Sequence, residues 1–405
     1  MVYTSYPPGK EELPMPWKET CVMNQRLQFI SDWLSEEYTV TDLCHCYAIS
    51  RPTAYKWMHR YEAVGLDGLK EQSRCPHHHP QAVPDQLKEQ IIQVKLAHQN
   101  WGPKKVLDYL CRRQPGEAWP VDSTAGEILK RVGLVKPRKR RRRVSADPRP
   151  FQDCNRANRV WSADFKGEFR LGNGRWCYPL TVTDNFSRYL LACRGLPGTA
   201  YAGVYPWFEW VFREYGLPEA IRTDNGPPFA SLALGGISQL AKWWIQLGIK
   251  PERIQPGKPS QNGRHERMHR SLKEATTWPP GQTMAAQQRC FNAFVQEYNE
   301  ERSHEALQRK TPAQLYRPAP RSYPVKIKPV DYDQGVIVRR VRHNGEIKWR
   351  GEMLFISQVL AKDAIALIPL DEGRWQIYYS FYPLGILDEK INKIIAYKQW
   401  HGTKH

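Results

Sequence analysis

Nowhere does this chain run for about 18 apolar residues without a charge, so no segment qualifies as a membrane-spanning helix. The first 18 residues lack the apolar stretch of an export signal, and a protein that is neither exported nor embedded is expected. The nine cysteines have no paired spacing, which excludes a disulfide scaffold and points to reduced thiols in the cytoplasm. Cys44, Cys46 and Cys75 stand near His77, His78 and His79, yet these residues form no C-x2-C or H-x3-H pair among themselves to build structural zinc. No polar low-complexity tract dominates, and 15 Trp among many aliphatics let most of the chain bury apolar surface.

Acids are also scarce. Lys and Arg number 60 against 41 Asp and Glu, a net charge of +19 that favours a polyanionic partner, nucleic acid first. A merely basic protein is the alternative that charge alone leaves open. At 405 residues the chain exceeds one ordinary core, so several modules are expected.

In the front half the apolar spacing is helical. Met23, Leu27, Ile30 and Leu34 form one stripe; Thr39 or Thr41 can cap a second helix carrying Leu43 and Tyr47. Ser50 and Pro52 suit the start of a third, with Ala54, Trp57, Met58 and Tyr61 inward. Its other face presents Tyr55, Lys56 and His59, with Arg51 near the start, as a recognition helix in a major groove would. This is a helix-turn-helix pattern; a plain three-helix bundle with a basic face is the alternative. A second helical unit follows a proline-bounded linker, with Leu87, Ile91 and Val94, then Val106, Leu107 and Leu110 after Gly102-Pro103, then Ile128, Leu129 and Val132 after a Ser123-Thr124 cap. The run Lys136-Pro137-Arg138-Lys139-Arg140-Arg141-Arg142-Arg143 repels itself and predicts an extended linker touching phosphate or a minor groove, or else a solvated tether.

Beyond residue 150 strands appear. Val160-Trp161-Ser162-Ala163-Asp164-Phe165 ends in an acid, Tyr178 to Asp184 and Tyr189 to Cys193 follow, and Gly172-Asn173-Gly174 favours antiparallel pairing of the first two. A helix through Trp207, Val211 and Phe212 stops at Gly216, and Ala220-Ile221-Arg222-Thr223-Asp224 returns as a strand. Asn225-Gly226 turns the chain sharply there, leaving the Asp224 carboxylate at the sheet's edge. A later helix sets Glu266, Arg270 and Lys273 on one face at i, i+4 and i+7. Asp164, Asp224 and Glu266 each have an innocent reading as strand cap, turn former and surface charge. Asp184 is a rival acid, read as a turn residue bonding near Ser187; His265 and His269, beside Glu266, fit an ordinary polar helix face or a DNA contact.

Several strings resemble the integrase core shared by retroviral integrases and DDE transposases, most closely the bacterial insertion-sequence 481 group. They are Trp161-Ser162-Ala163-Asp164-Phe165-Lys166, Thr183-Asp184-Asn185-Phe186-Ser187-Arg188-Tyr189, Arg222-Thr223-Asp224-Asn225-Gly226-Pro227-Pro228-Phe229 and Gln261-Asn262-Gly263-Arg264-His265-Glu266-Arg267, with Tyr298-Asn299-Glu300-Glu301-Arg302 and His304-Glu305-Ala306-Leu307 after them. The resemblance implies a multidomain fold: α-helical helix-turn-helix modules, an α/β ribonuclease-H-like core with a mixed five-stranded sheet, and a small C-terminal β-barrel. Alternating positions in Val336 to Val341, an Asn344-Gly345 turn, and strands at Glu346 to Trp349, Ile365 to Ile368 and Trp375 to Tyr378 fit that barrel. Boundaries follow at 1–18 (irregular tail), 19–75 (helix-turn-helix), 76–135 (second helical module, helix-turn-helix or winged-helix-like), 136–150 (basic linker), 151–320 (catalytic core) and 321–395 (barrel).

The resemblance further implies that Asp164, Asp224 and Glu266 are catalytic and hold metal, and that Lys273 matches the base that often follows the glutamate by seven. In-line attack on a phosphodiester needs charge neutralised on both sides, which suits two Mg²⁺ ions, with Mn²⁺ as substitute. Arg270 and Lys273 would hold backbone phosphate. The partners expected are double-stranded DNA, as transposon ends and target, and further copies of the chain in a homo-oligomer on DNA at the bacterial nucleoid. A DNA-binding regulator derived from a transposase and a nuclease without joining activity are the alternatives. One departure is the 41 residues between Asp224 and Glu266, longer than the family's usual spacing, with Ala233-Leu234-Gly235-Gly236 the expected place for the excess.

Overall fold

The computed structural model describes residues 21–73, 82–135, 153–231, 233–255, 259–371 and 373–396; the tail 1–18 and the linker cations Lys136, Arg138, Lys139, Arg140, Arg141, Arg142 and Arg143 lie outside them. Two units divide after Ala82. The first holds α1 (Val22–Leu34), α2 (Val40–Cys46) and α3 (Arg51–Val64). Thr39 starts α2 with a capping box: its hydroxyl accepts from the Asp42 amide at 3.3 Å, and the Asp42 carboxylate accepts from the Thr39 amide at 3.2 Å. Ser50 caps α3 by position, but its hydroxyl pairs with that of Thr53 at 2.9 Å. Phe29, Ile30, Leu43, Ala54, Trp57, Met58 and Leu69 form the core. The stripe of α1 is rotated from the expected one, since Phe29 packs edge-on against Tyr47 while Leu27 and Leu34 are 36% and 53% exposed.

The second unit opens with α4 (Asp85–Ala97), α5 (Pro103–Arg113) and α6 (Asp122–Arg131) around Ile91, Trp101, Val106, Leu107, Leu110, Ala125 and Leu129. Helix α6 begins earlier than the Ser123-Thr124 cap predicts. Val121 precedes it, Asp122 sits in the first turn where the helix dipole favours an acid, and Val132 lies past its end, exposed.

The sheet comprises β1 (Val160–Phe165), β2 (Phe169–Arg170), β3 (Trp176–Asp184), β4 (Leu190–Leu196), β5 (Ala220–Thr223) and β6 (Lys250–Arg253). The long strands run in the order β4-β3-β1-β5-β6, with two-residue β2 also on β3. Strand β3 is antiparallel to β1, β2 and β4, whereas β5 is parallel to β1 and β6, so the sheet is mixed as expected. The Gly172-Asn173-Gly174 turn closes the short β2–β3 hairpin, and antiparallel β1–β3 pairing continues from it. Alternation sends Leu180 and Val182 to one face, under α7 (Tyr201–Tyr215) and α8 (Gln239–Gln246) with Phe208, Phe212, Leu240 and Trp244. Cys177 faces the other way, under α9 (Gly263–Thr276) and α10 (Met284–Gln296) with Met268, Leu272, Phe291 and Phe294.

After α10 a π-turn, Glu297–Glu301, leads toward α11 (Pro312–Leu315), and this segment seats the α4–α6 module. Arg309 grips Asp108 at 2.5 Å and Asp122 at 2.9 Å, Lys104 meets Glu305 at 2.8 Å, and Arg112 donates to the Glu301 carbonyl. Asn299 bonds both the N–H and the C=O of Leu190, at 2.8 and 3.0 Å, extending the edge of β4 with a side-chain amide.

The C-terminal strands are β7 (Ile337–Arg340), β8 (Glu346–Trp349), β9 (Glu352–Phe355), β10 (Ala364–Asp371), β11 (Arg374–Tyr379), β12 (Tyr382–Asp388) and β13 (Lys393–Ala396). They form an open antiparallel sheet in the order β13-β12-β11-β10-β7 and a separate β8–β9 ribbon. Among the described residues β7 and β13 do not pair, so the closed barrel expected from the sequence is not found. Ile347, Trp349 and Leu354 of the ribbon, with Ile237, Ala241 and Ile245 from the start and flank of α8, cover the sheet's apolar face and supply the burial that closure would. Ala233-Leu234-Gly235-Gly236 is a tight turn pressed against β12. A Cβ on Gly235 would stand 3.1 Å from the Leu384 Cα, and one on Gly385 would stand 3.0 Å from a Leu234 methyl. Arg253 holds this turn by donating to the Gly235 and Gly236 carbonyls.

Candidate active site

Parallel pairing of β1 with β5 matches Val160 to Ala220 and Ser162 to Arg222, so Asp164 and Asp224 each stand two residues beyond the last matched pair. Asp164 is half-buried near the end of β1, its backbone carbonyl accepting the Thr181 hydroxyl at 3.1 Å. Burial, then the charge of Asp224 and, more weakly, that of Glu266, push its carboxyl up to about 7. Asp164 thus feels both of the other acids. Asp224 Oδ1 is buried without a hydrogen-bond partner. Gly226 lies under the same carboxylate, where a Cβ would stand 3.0 Å from Oδ2 and press the carboxylate aside by a few tenths of an ångström.

Helix α9 brings the third acid. Glu266 is in its first turn and exposed, together with Arg270 and Lys273 on the face expected from their spacing. Asn262, at the N-cap position, does not cap; its amide donates to the Asp164 carboxylate at 3.3 Å. His265 and His269 are buried and face β3 instead of solvent or DNA. Their Nε2 atoms lie 2.7 Å from the Thr181 hydroxyl, and His265 Nδ1 lies 2.8 Å from that of Thr183. One proton arrangement satisfies all of these: Thr181 donates to the Asp164 carbonyl and accepts from both imidazoles, while Thr183 donates to Nδ1. Burial holds both rings neutral, His269 at about 3.

Among the described residues, the metal-capable group with all ligand atoms within 4.8 Å of one another is Asp164, His265 and His269, not the three carboxylates. Both imidazoles are committed to threonine hydroxyls, so this proximity reflects the packing of α9 on β3. The carboxylates are the better donors: hard oxygens, one orphaned at Asp224 and one made hard to ionise at Asp164 by burial and then by its like-charged neighbours, as suits a divalent cation.

Lys166, two residues past Asp164, is a neighbour that the sequence reading left without a role. Burial and then Lys273 lower its ammonium, and its charge reaches His269. The Asp184 carboxylate is buried and accepts from the Asn158 amide at 2.9 Å and from the Ser187 amide and hydroxyl at 2.7 and 2.6 Å. It is a turn former, as read.

In the first unit Tyr55, Lys56 and His59 are exposed on one side of α3, Tyr55 stacking on His59 and Lys56 lying over Trp57. His59 also pairs with Glu62 at 3.2 Å, and Arg51 donates to the Thr41 hydroxyl at 2.6 Å. Cys44 is buried and Cys46 exposed, while Cys75, His77, His78 and His79 lie outside the described residues. No described helix is long and apolar enough to cross a membrane.

Residues 155–259 and 247–312 match the integrase core domain, 25–77 a helix-turn-helix domain and 53–129 a homeodomain-like domain. The uncharacterized 31.7 kDa protein of insertion element IS407 from Burkholderia multivorans is 30% identical over 246 residues, 58% of this chain and 84% of that protein. The 39.2 kDa protein of insertion element IS476 from Xanthomonas euvesicatoria is 28% identical over 271 residues, 66% of this chain and 75% of that protein. Looser likenesses include the catalytic core domain of HTLV-2 integrase in complex with magnesium, 17% identical with a TM-score of 0.33 over 40% of this chain and 98% of that one. A chain of the simian T-cell lymphotropic virus intasome is 18% identical, with a TM-score of 0.36 over 72% of this chain and 97% of that one. None of these matches singles out the insertion-sequence 481 group. With an integrase core, helix-turn-helix domains ahead of it and insertion-element proteins as relatives, the chain belongs to the DDE transposases of insertion sequences.

Proposed function

We propose that this transposase binds the ends of its element as double-stranded DNA, hydrolyses a phosphodiester there to free a 3′-hydroxyl, and joins that hydroxyl to target DNA. The observation that carries the reading is that Asp164, half-buried near the end of β1, feels the charge of Asp224 after β5 and, more weakly, that of Glu266 at the start of α9. Each step is an in-line displacement at phosphorus, in which the bond to the entering oxygen forms as the bond to the departing oxygen breaks. Asp164, Asp224 and Glu266 would hold two Mg²⁺ ions, or Mn²⁺ in their place, which when bound supply Lewis acidity at both oxygens.

The chain's own groups do the remaining work. Asn262 orients the Asp164 carboxylate, and Thr181 with His265 and His269 locks α9 to the strand beside it. Arg270, Lys273 and Lys166 would hold backbone phosphate against the acids. Arg51, Tyr55, Lys56 and His59 would read a groove, with the cations from Lys136 to Arg143 tracking phosphate between modules. Because two ends must meet, the working form is a homo-oligomer assembled on DNA.

The test combines the purified chain with duplexes bearing the element's own ends, Mg²⁺ and a plasmid target, beside Asp164→Asn and Glu266→Gln. Joined products that disappear in both variants are expected. Nicking without joining would leave a nuclease, and binding without nicking would leave a regulator; either overturns the proposal.

A further inference from the structure

Three segments of the second unit meet around α9. The turn after β3 is tied to α9 by Arg264, which donates to the Asn185 carbonyl at 2.7 Å. The start of β4 is tied to the π-turn by Asn299 on Leu190, and the π-turn returns to α9 through Arg302, which donates to the Ser271 hydroxyl at 3.0 Å. Where they converge stand Arg188, two residues before Leu190, then Arg302, His304, and Arg267, one turn before Ser271 on α9. The aromatic floor is Tyr298, with Arg302 lying 5.8 Å above its ring and the His304 ring 5.0 Å away.

Among the described residues no carboxylate acts on Arg188 or His304, while Arg302 also feels Glu297 and Glu274. Nε of Arg188, Nε of Arg302 and Nε2 of His304 are buried without hydrogen-bond partners. The charged neighbours that depress His304 are all cations, Arg302, Arg188, Lys105 and Arg267, after burial itself. Glu297 and Glu274 act on Arg302 more weakly than burial does, and Glu297 is engaged by His98 at 3.4 Å. Desolvated guanidinium groups gathered this way are costly unless an anion joins them, and phosphate oxygens match their geometry.

We infer that Arg188, Arg267, Arg302 and His304 form a binding site for a backbone phosphate of DNA flanking the reacting one. The inference rests on the DNA-joining function proposed above. The scale fits: Asp184, whose turn carries Arg188, pairs with Trp161, three residues from Asp164 along β1. That puts the start of the Arg188 turn about 10 Å along β1 from Asp164, the rise of about three base pairs. The site thus grips the DNA beyond the cut, and Arg267, next to Glu266 in the chain, links the two.

The experiment measures affinity of the full chain for a labelled duplex of about 30 base pairs of random sequence between about 50 and 200 mM chloride. The comparison is with R188Q/R302Q and R188K/R302K. Each phosphate neutralised contributes about 0.9 to the slope of log affinity against log salt, so the glutamine pair should flatten the slope by about 1 and the lysine pair should restore most of it. An unchanged slope in R188Q/R302Q, with the wild type binding normally, overturns this site alone; a wild type without salt-dependent binding overturns the DNA function with it. Should the double variant fail to fold, R188Q by itself must flatten the slope for the site to stand. As a second readout, inorganic phosphate at matched ionic strength should raise the melting temperature of the wild type and not of R188Q/R302Q. If it does so while the DNA slope is unmoved, the cluster holds a free anion only, and the inference fails.

Discussion

Thr181 and His265 meet at 2.7 Å between β3 and α9, and the same hydroxyl reaches the backbone of Asp164 on β1. One side chain thus fastens the helix that carries Glu266 to the strand that carries Asp164. The acids themselves repel, so their approach must be enforced from the surrounding packing.

Replacing Thr181 with Val keeps the shape and removes the acceptor of two imidazole N–H groups. Each buried donor left unpaired costs about 1–3 kcal/mol. The T181V variant should melt several degrees lower and lose metal-dependent nicking, while its affinity for duplex DNA in EDTA stays within about twofold of wild type. Unaltered nicking in T181V would mean that this tether does not position Glu266.

At Gly226 a methyl would crowd the Asp224 carboxylate, at 3.0 Å from Oδ2. In G226A the carboxylate must shift by a few tenths of an ångström, and nicking should fall about tenfold to a hundredfold through ligand misplacement, with the fold intact by circular dichroism. Raised Mg²⁺ should recover part of the loss. A fully active G226A would argue that Asp224 does not work from this position.

Arg309 holds α5 and α6 through Asp108 and Asp122. It is partly exposed, so R309A should cost only about 1–2 kcal/mol. Its signature is local: amide hydrogen exchange over α5 and α6 should quicken while the sheet strands keep their protection. Uniform loosening of the whole unit would show that the module does not seat independently.

His304 is held neutral, its imidazole lowered from 6.5 to about 3 by burial and by surrounding cations. Its contribution to stability is complete above pH 6.5. Below that the unfolded chain takes up a proton that the folded chain refuses, and stability drains as pH falls toward 3. Between pH 7.5 and 4.5 the wild type should therefore lose on the order of 2 kcal/mol more than H304Q, measured by urea unfolding. Parallel pH profiles would show that the ring protonates freely in the fold.

The sequence strings around Asp164, Asp224 and Glu266 were readable because strand ends, an Asn-Gly turn and an i, i+4, i+7 helix face are local patterns. The same locality explains Thr39, Gly102-Pro103 and the stop at Gly216, where cap and breaker act within a few residues. Leu27 and Leu34 misled because a helical period does not fix its phase; Phe29 packs inward once Tyr47 is beside it. Strands β6, β9 and β13 are not legible because short, half-polar runs become strands only when a neighbour offers its hydrogen bonds, and β12 because Pro383 and Gly385 interrupt its apolar run.

By itself, then, the order of residues determined the modules, their basic character and the acids available for chemistry, since each depends on neighbours along the chain. Only the tertiary structure decided that His265 and His269 face Thr181 and Thr183 and that Asn262 serves Asp164 instead of its own helix. It also decided that the last strands lie open against α8. Those outcomes turn on which groups meet across tens of residues, where burial and hydrogen bonding outweigh what any single segment prefers.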